Sequence, residues 1–146
     1  YDLKAGSKRM IRPAADDEAV PLRFHWNAAL AQDPFASGTI YFGSQFVHQS
    51  DDRGETWRTI SPDLTRNDKT RQDQSKNGGL TPDITGAENH NALIALATSE
   101  LTQGAIWAGS DDGRLHVTRN GGSDWKEVSL RGAPGDGYLA HIFPSQ

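Results

Sequence analysis

The sequence predicts an all-β chain built from two repeated four-stranded antiparallel units, with part of a further unit at each end. Three observations predict it. First, Ser37-Gly38-Thr39-Ile40-Tyr41-Phe42-Gly43-Ser44 recurs as Gln103-Gly104-Ala105-Ile106-Trp107-Ala108-Gly109-Ser110, and Ser50 to Trp57 recurs as Thr118 to Trp125. Self-similarity at this spacing is the signature of stacked repeats. Second, the apolar runs are rich in Ile, Val, Tyr, Trp and Phe and are bounded by Gly, Asp, Ser and Pro, as strands are. Third, the 146 residues include 15 Gly, 7 Pro and 4 Trp, a composition of tight turns and aromatic packing.

In chain order, residues 1–13 read as the end of a preceding unit: Tyr1 to Leu3, a Lys-Ala-Gly-Ser turn, then Lys8 to Arg12. The acidic stretch from Pro13 to Pro21 is a loop. The first complete unit spans 22–61, with strands expected over 23–31, 38–43, 46–50 and 56–60. A polar insertion follows over 62–87, and its residues 65–79 carry too few apolar side chains to order them. The second unit spans 88–130, with strands over 90–98, 104–109, 114–118 and 124–129. Its first strand, Asn91 to Ala97, contains helix-favouring Ala and Leu. It is assigned as strand because its repeat partner contains Phe24, Trp26 and a following Pro34. The two copies drift apart by two residues after Gly109-Ser110, so the second copy has a longer loop there. Residues 137–146 read as the first strand of a following unit, Phe143-Pro144-Ser145 standing where Ala97-Thr98-Ser99 ends the corresponding strand.

Composition excludes several function classes. Apolar residues make up 35%, low for an independent core, and charged residues 23% with a net charge of −4. A mildly acidic chain gives no electrostatic reason to expect nucleic acid. No apolar run approaches the ~18 residues that span a bilayer. There is no cysteine, which excludes disulfides, thiol catalysis and Cys-ligated zinc. Of the five histidines, His48 and His116 are not spaced as metal ligands on one strand, and His25, His90 and His141 fall on innermost strands, facing either a channel or the blade interfaces. His48 and His116 occupy equivalent repeat positions, which argues for packing. No metal and no cofactor is expected, and no phosphate-binding glycine loop, nucleophile elbow or dinucleotide fingerprint is present. The chain begins with Tyr1 and no leader is visible, so it is expected to be processed, excised or incompletely known.

Ser50-x-Asp52-x-Gly54-x-Thr56-Trp57 is a full match to the Asp-box, or BNR, pattern, and Thr118-x-Asn120-x-Gly122-x-Asp124-Trp125 is a degenerate one. The chemistry suits a hairpin turn. A short Asp or Asn side chain bonds nearby amides. Gly takes a positive φ, the Ser or Thr hydroxyl adds a local bond, and Trp packs beneath the turn. On these residues the chain resembles the Asp-box β-propellers, among them sialidases, oligoxyloglucan-active glycoside hydrolases and sortilin-type receptors. Arg23-Phe24-His25-Trp26-Asn27, Gly38 to Gly43, Ile60-Ser61-Pro62-Asp63-Leu64-Thr65 and Ile106 to Gly113 narrow the resemblance. They are similar to the large secreted bacterial proteins called sortilin-like or BNR glycosyl hydrolase-like. The resemblance covers nearly the whole chain and implies a partial β-propeller: two complete four-stranded antiparallel blades plus partial blades at both ends. It also implies a secreted, periplasmic or cell-surface location. Its partners are the remaining blades or further copies of the chain, and a peptide, protein or glycan ligand.

In such propellers the boxes lie on the periphery, so Ser50, Asp52, Gly54, Thr56, Trp57, Thr118, Asn120, Gly122 and Trp125 are expected to be structural. Ligands sit where the loop between second and third strands meets the loop joining one blade to the next. That places His25, Trp26, His90 and Asp112, with Asp63, as candidate ligand-binding groups. A glycosidase needs two carboxyl groups about 5–9.5 Å apart, and Glu88 with Asp111 is the candidate catalytic pair. Ligand binding is the expected function, with a glycoside hydrolase using that pair as the alternative.

Overall fold

A computed structural model describes residues 4–8, 10–73, 89–132, 135 and 137–144. Two four-stranded antiparallel sheets dominate it. The first is β1 (Leu30–Gln32), β2 (Ile40–Gly43), β3 (Val47–Ser50) and β4 (Arg58–Thr59). The short helix α1 (Lys69–Gln72) follows. The second sheet is β5 (Leu93–Thr98), β6 (Ile106–Ser110), β7 (Leu115–Thr118) and β8 (Lys126–Glu127). Both sheets keep sequence order, so each is an up-and-down blade. Among the described residues the chain has the all-β, partial-propeller fold the repeat predicts.

The registers match between blades. Gly43 pairs with Val47 across the first inner turn, and Gly109 pairs with Leu115 across the second. The two additional residues of the second copy are therefore in that turn, at the end of β6. The core lies between the sheets and is made by Tyr41, Val47, Ile60, Leu64, Leu93, Ile106 and Ala108. β5 packs on β1 and β2. The contact is close because Gly43 has no side chain: a Cβ there would stand 2.9 Å from the Cβ of Leu93. Leu93 N–H donates to Ser44 O at 2.7 Å, which pins the start of β5 to the first blade.

Three expectations need correction. Residues 23–29 do not extend β1; His25 makes an isolated bridge and Trp26-Asn27 is a turn. Side chains take the amides that a ladder would need: Arg23 N–H donates to Gln45 Oε1 at 2.8 Å, and Asn27 N–H to His25 Nδ1 at 3.1 Å. The outer strands are also shorter than expected, because the preceding turn consumes their first amides. Finally, residues 65–73 are structured. Arg66 anchors to Asp112, and Asp68 caps α1 by accepting from Thr70 N–H. The rest of the insertion, residues 74–88, lies outside the described residues.

The end segments hold blade-like positions without ladders. Leu139 N–H donates to Ser110 O at 3.3 Å, and a Cβ on Gly109 would meet the Leu139 Cβ at 2.9 Å. Leu139 thus sits on the second blade as Leu93 sits on the first. Likewise a Cβ on Gly54 would meet Ile11 Cβ at 2.8 Å, and one on Gly122 would meet Ile60 Cβ at 2.9 Å. Ile11-Arg12-Pro13 therefore stands where Ile60-Ser61-Pro62 stands one blade later.

Candidate functional site

The two box turns and the inner turns lie at opposite ends of the sheets, because β3 and β7 separate them. In the first box, Ser50 Oγ donates to Asp52 Oδ1 at 2.7 Å and accepts from Gly54 N–H at 2.7 Å. Asp52 accepts from Thr56 N–H at 2.8 Å and from Thr56 Oγ1 at 2.7 Å. These donors hold the Asp52 carboxyl down at about 2, the Thr56 amide contributing most. In the second box Thr118 Oγ1 donates to Asn120 Oδ1 at 2.9 Å, and Asp124 N–H donates to the same oxygen at 3.1 Å. Asn120 Nδ2 donates to Asp124 Oδ2. Asp52–Thr56 and Asn120–Asp124 are thus one side-chain pair with donor and acceptor exchanged, so the turn survives the change of acid. Trp57 and Trp125 follow, half-buried; Trp125 Nε1 donates to Ile60 O at 2.9 Å.

At the other end, Asn91 organises the start of β5. It is fully buried and adopts φ 62°, a left-handed conformation that Asn tolerates better than most residues. Its Nδ2 donates to Asp112 Oδ2 at 2.6 Å, its Oδ1 accepts from Gln72 Nε2 at 3.0 Å, and its carbonyl accepts from Arg23 Nε at 3.0 Å. Asp112 is saturated: Oδ1 accepts from Ser110 Oγ at 2.5 Å, Oδ2 also accepts from Arg66 N–H at 2.8 Å, and its carbonyl from Arg66 Nε at 2.9 Å. Asp63 is likewise occupied, by Arg23 at 2.7 Å and by Thr65. Both carboxylates are engaged by the scaffold.

Asp111 differs. It is 3% exposed. Its Oδ1 accepts from Ala92 N–H at 3.1 Å, but its buried Oδ2 has no hydrogen-bond partner. His90 Nδ1 stands 3.9 Å from that oxygen, beyond bonding distance, and its side chain is 44% exposed. Burial raises the Asp111 carboxyl to about 6; the Ala92 and Asn91 amides and His90 oppose the rise, and Asp112 adds to it. The His25 imidazole is lowered by burial and by His90. His25 in turn packs edge-on against Tyr138, ring centroids 6.1 Å apart. Trp26, next to His25, is 65% exposed.

Of the residues singled out from sequence, the structure gathers His25, His90 and Asp111, leaves Trp26 exposed beside them, and commits Asp112 to the scaffold. Glu88 lies outside the described residues, and with it the spacing of the candidate catalytic pair. The sequence reading missed Tyr138, read only as part of a following strand, and Asn91, read only as strand. A neighbouring cleft of about 350 Å³ is lined by Arg66, Asp68, Arg71, Asn91, Asp112 and Gly135. Its charges are balanced within it: Arg66 serves Asp112 and the Gly135 carbonyl, and Arg71 lies 3.9 Å from Asp68. Among the described residues no cluster of His, Asp or Glu is placed to hold a metal ion. No described helix is long and apolar enough to cross a membrane.

No protein-family profile and no curated sequence matches the chain. Among solved structures it is similar to YCF48 from Cyanidioschyzon merolae, with 13% identity and a TM-score of 0.50, over 85% of this chain and 33% of that one. It is also similar to YCF48 bound to D1 peptide, with 15% identity and a TM-score of 0.45, over 86% of this chain and 31% of that one. The chain spans about a third of the length of these solved chains. At such identities the likeness concerns fold alone, and that fold is the β-propeller.

Proposed function

We propose that the chain is a ligand-binding segment of a secreted, sortilin-like Asp-box β-propeller, holding a peptide, protein or glycan where His25, His90, Asp111 and Tyr138 meet. The observation that carries this reading is the contrast between neighbouring acids. Asp112 is used up by the scaffold, whereas Asp111 keeps a free acceptor beside half-exposed rings. Binding sites combine an apolar or aromatic lining with a few unsatisfied polar groups. The two box turns at the far end of the sheets support a structural role for Asp52 and Asn120. The extracytoplasmic location rests on the resemblance of the box and strand motifs; cell fractionation of the source organism tests it.

Arrays of peptides and glycans probed with this chain test the binding reading. A bound class should lose at least about tenfold in affinity on His25→Ala or Trp26→Ala with the melting temperature unchanged, as for residues at an interface centre. Ligands insensitive to both substitutions would refute the site. One observation favours the glycoside hydrolase as second reading: a buried carboxyl raised to about 6 suits a general acid. That reading requires turnover in a glycan screen, abolished by Asp111→Asn and by Glu88→Gln in folded protein.

A further inference from the structure

We infer that the ligand group received at this site is a cation, a lysine ammonium or arginine guanidinium from a peptide, seated against Asp111 Oδ2 and flanked by the rings of His90, His25 and Tyr138. The inference rests on the binding reading and specifies its ligand class. What the corner lacks, among the described residues, is a donor to the second oxygen of Asp111. Asp111 Oδ1 is served by the Ala92 amide, and Oδ2, equally buried, is served by nothing. The described cations nearby are committed elsewhere: Arg23 to Asp63 and the Asn91 carbonyl, Arg66 to the Asp112 and Gly135 carbonyls, Arg114 to Glu127 and the Thr65 carbonyl. The first blade shows the contrast. Gln45, which follows Ser44 as Asp111 follows Ser110, is satisfied by Arg23 N–H and the Pro21 carbonyl. Replacing that neutral amide by an acid, with no donor among the described residues for its second oxygen, leaves a negative group awaiting a partner.

The surroundings suit a cation. Ring faces attract ammonium and guanidinium groups, and the His25–Tyr138 pair forms one aromatic wall. The His90 ring, the described basic group nearest Oδ2, is half-exposed. Its displacement is the route by which a ligand donor reaches the carboxylate. A buried, charge-assisted bond formed this way is stronger than a neutral one.

The test titrates the full chain, at neutral pH, with a glycine-flanked lysine peptide, its arginine counterpart and its acetyl-lysine counterpart, followed by NMR of the His and Tyr ring protons. The lysine or arginine peptide should bind and shift the His25, His90 and Tyr138 signals. Acetylation should weaken binding at least about tenfold, since it removes the charge. Asp111→Asn should do the same with the fold intact by thermal melt, and Tyr138→Leu should weaken it less. Equal binding of the acetylated peptide, or unchanged binding to Asp111→Asn, would overturn the inference while leaving a peptide-binding function standing. No binding by either cationic peptide, with a glycan bound instead, would also overturn it and keep only the broader reading. No binding of any peptide or glycan would remove both.

Discussion

Asp111 and His48 pull stability in opposite directions with pH. The folded Asp111 carboxyl titrates at about 6, against 3.8 for an unperturbed aspartate. Between those values the folded state holds more protons, so stability contributed below 3.8 is lost as pH rises through 6, about 3 kcal/mol in all. His48 is buried, with Ser44 Oγ 2.7 Å from Nε2, and burial lowers its imidazole from 6.5 to about 4. Here the unfolded state binds the proton first, so stability present above 6.5 is lost as pH falls toward 4. Asp111→Asn should therefore stabilise the chain by about 1–2 kcal/mol near pH ~7.5, part of the relief being withheld because the new amide is also unpartnered, and by progressively less toward pH ~4. Urea titrations across that range check it. A gain independent of pH would show that the carboxylate charge is not the cause. Stability given up at one buried acid is what a site held ready for a partner costs.

At the scale of the element, the two box turns are an internal control for each other. Arg53 sits at φ 62° where the second turn has Gly121 at φ 67°, and the amides of both bond equivalent carbonyls, Gly38 O and Gly104 O. A left-handed non-glycine residue costs about 1–2 kcal/mol, and glycine returns about 0.5–1 of that as unfolded-state entropy. Arg53→Gly should thus raise stability by about 0.5–1 kcal/mol, read as a higher melting temperature. The tryptophans supply a second comparison. Trp125 Nε1 bonds Ile60 O, while the buried Trp57 Nε1 has no partner. Trp125→Phe should cost about 1 kcal/mol more than Trp57→Phe, the worth of one hydrogen bond. Equal costs in chemical denaturation would mean that the Trp125 bond contributes nothing.

Across the whole molecule, the two blades bury one face between them and leave outer surfaces carrying apolar side chains. Met10 and Phe143, on the two end segments, are largely exposed, as is Leu101 in the β5–β6 turn. β4 and β8 are sheet edges and exposed throughout. Stacked repeats gain stability from each neighbour interface, and open edges invite pairing. The chain should therefore self-associate with rising concentration, in sedimentation velocity, through micromolar and higher loading. Met10→Ser with Phe143→Ser should reduce that association. A strictly monomeric chain at all concentrations would show that these surfaces are compatible with water.

The doubled strand pattern, the paired turns and the placement of two extra residues after Ser110 were all legible in the sequence. They are local: hydrophobic alternation, glycine at turns and short polar side chains act within a few residues, and the repeat states each of them twice. The assignment of Leu93–Thr98 as strand came the same way, from its partner copy rather than from its own composition. Which carboxylate is free was not legible. Asp111 and Asp112 are adjacent and chemically identical; beyond the local Ser110 hydroxyl, it is the arrival of Asn91 and Arg66 from separate segments that saturates one and leaves the other. The same holds in part for residues 23–29, whose aromatic run reads as strand until the distant Gln45 side chain takes the Arg23 amide and the local His25 ring takes that of Asn27. Tyr138 reaches His25 only because Leu139 packs on Gly109, far along the chain from the first blade's start. Local preferences determined the blades; long-range hydrogen bonding, which no periodicity records, decided which side chains were left over for a ligand.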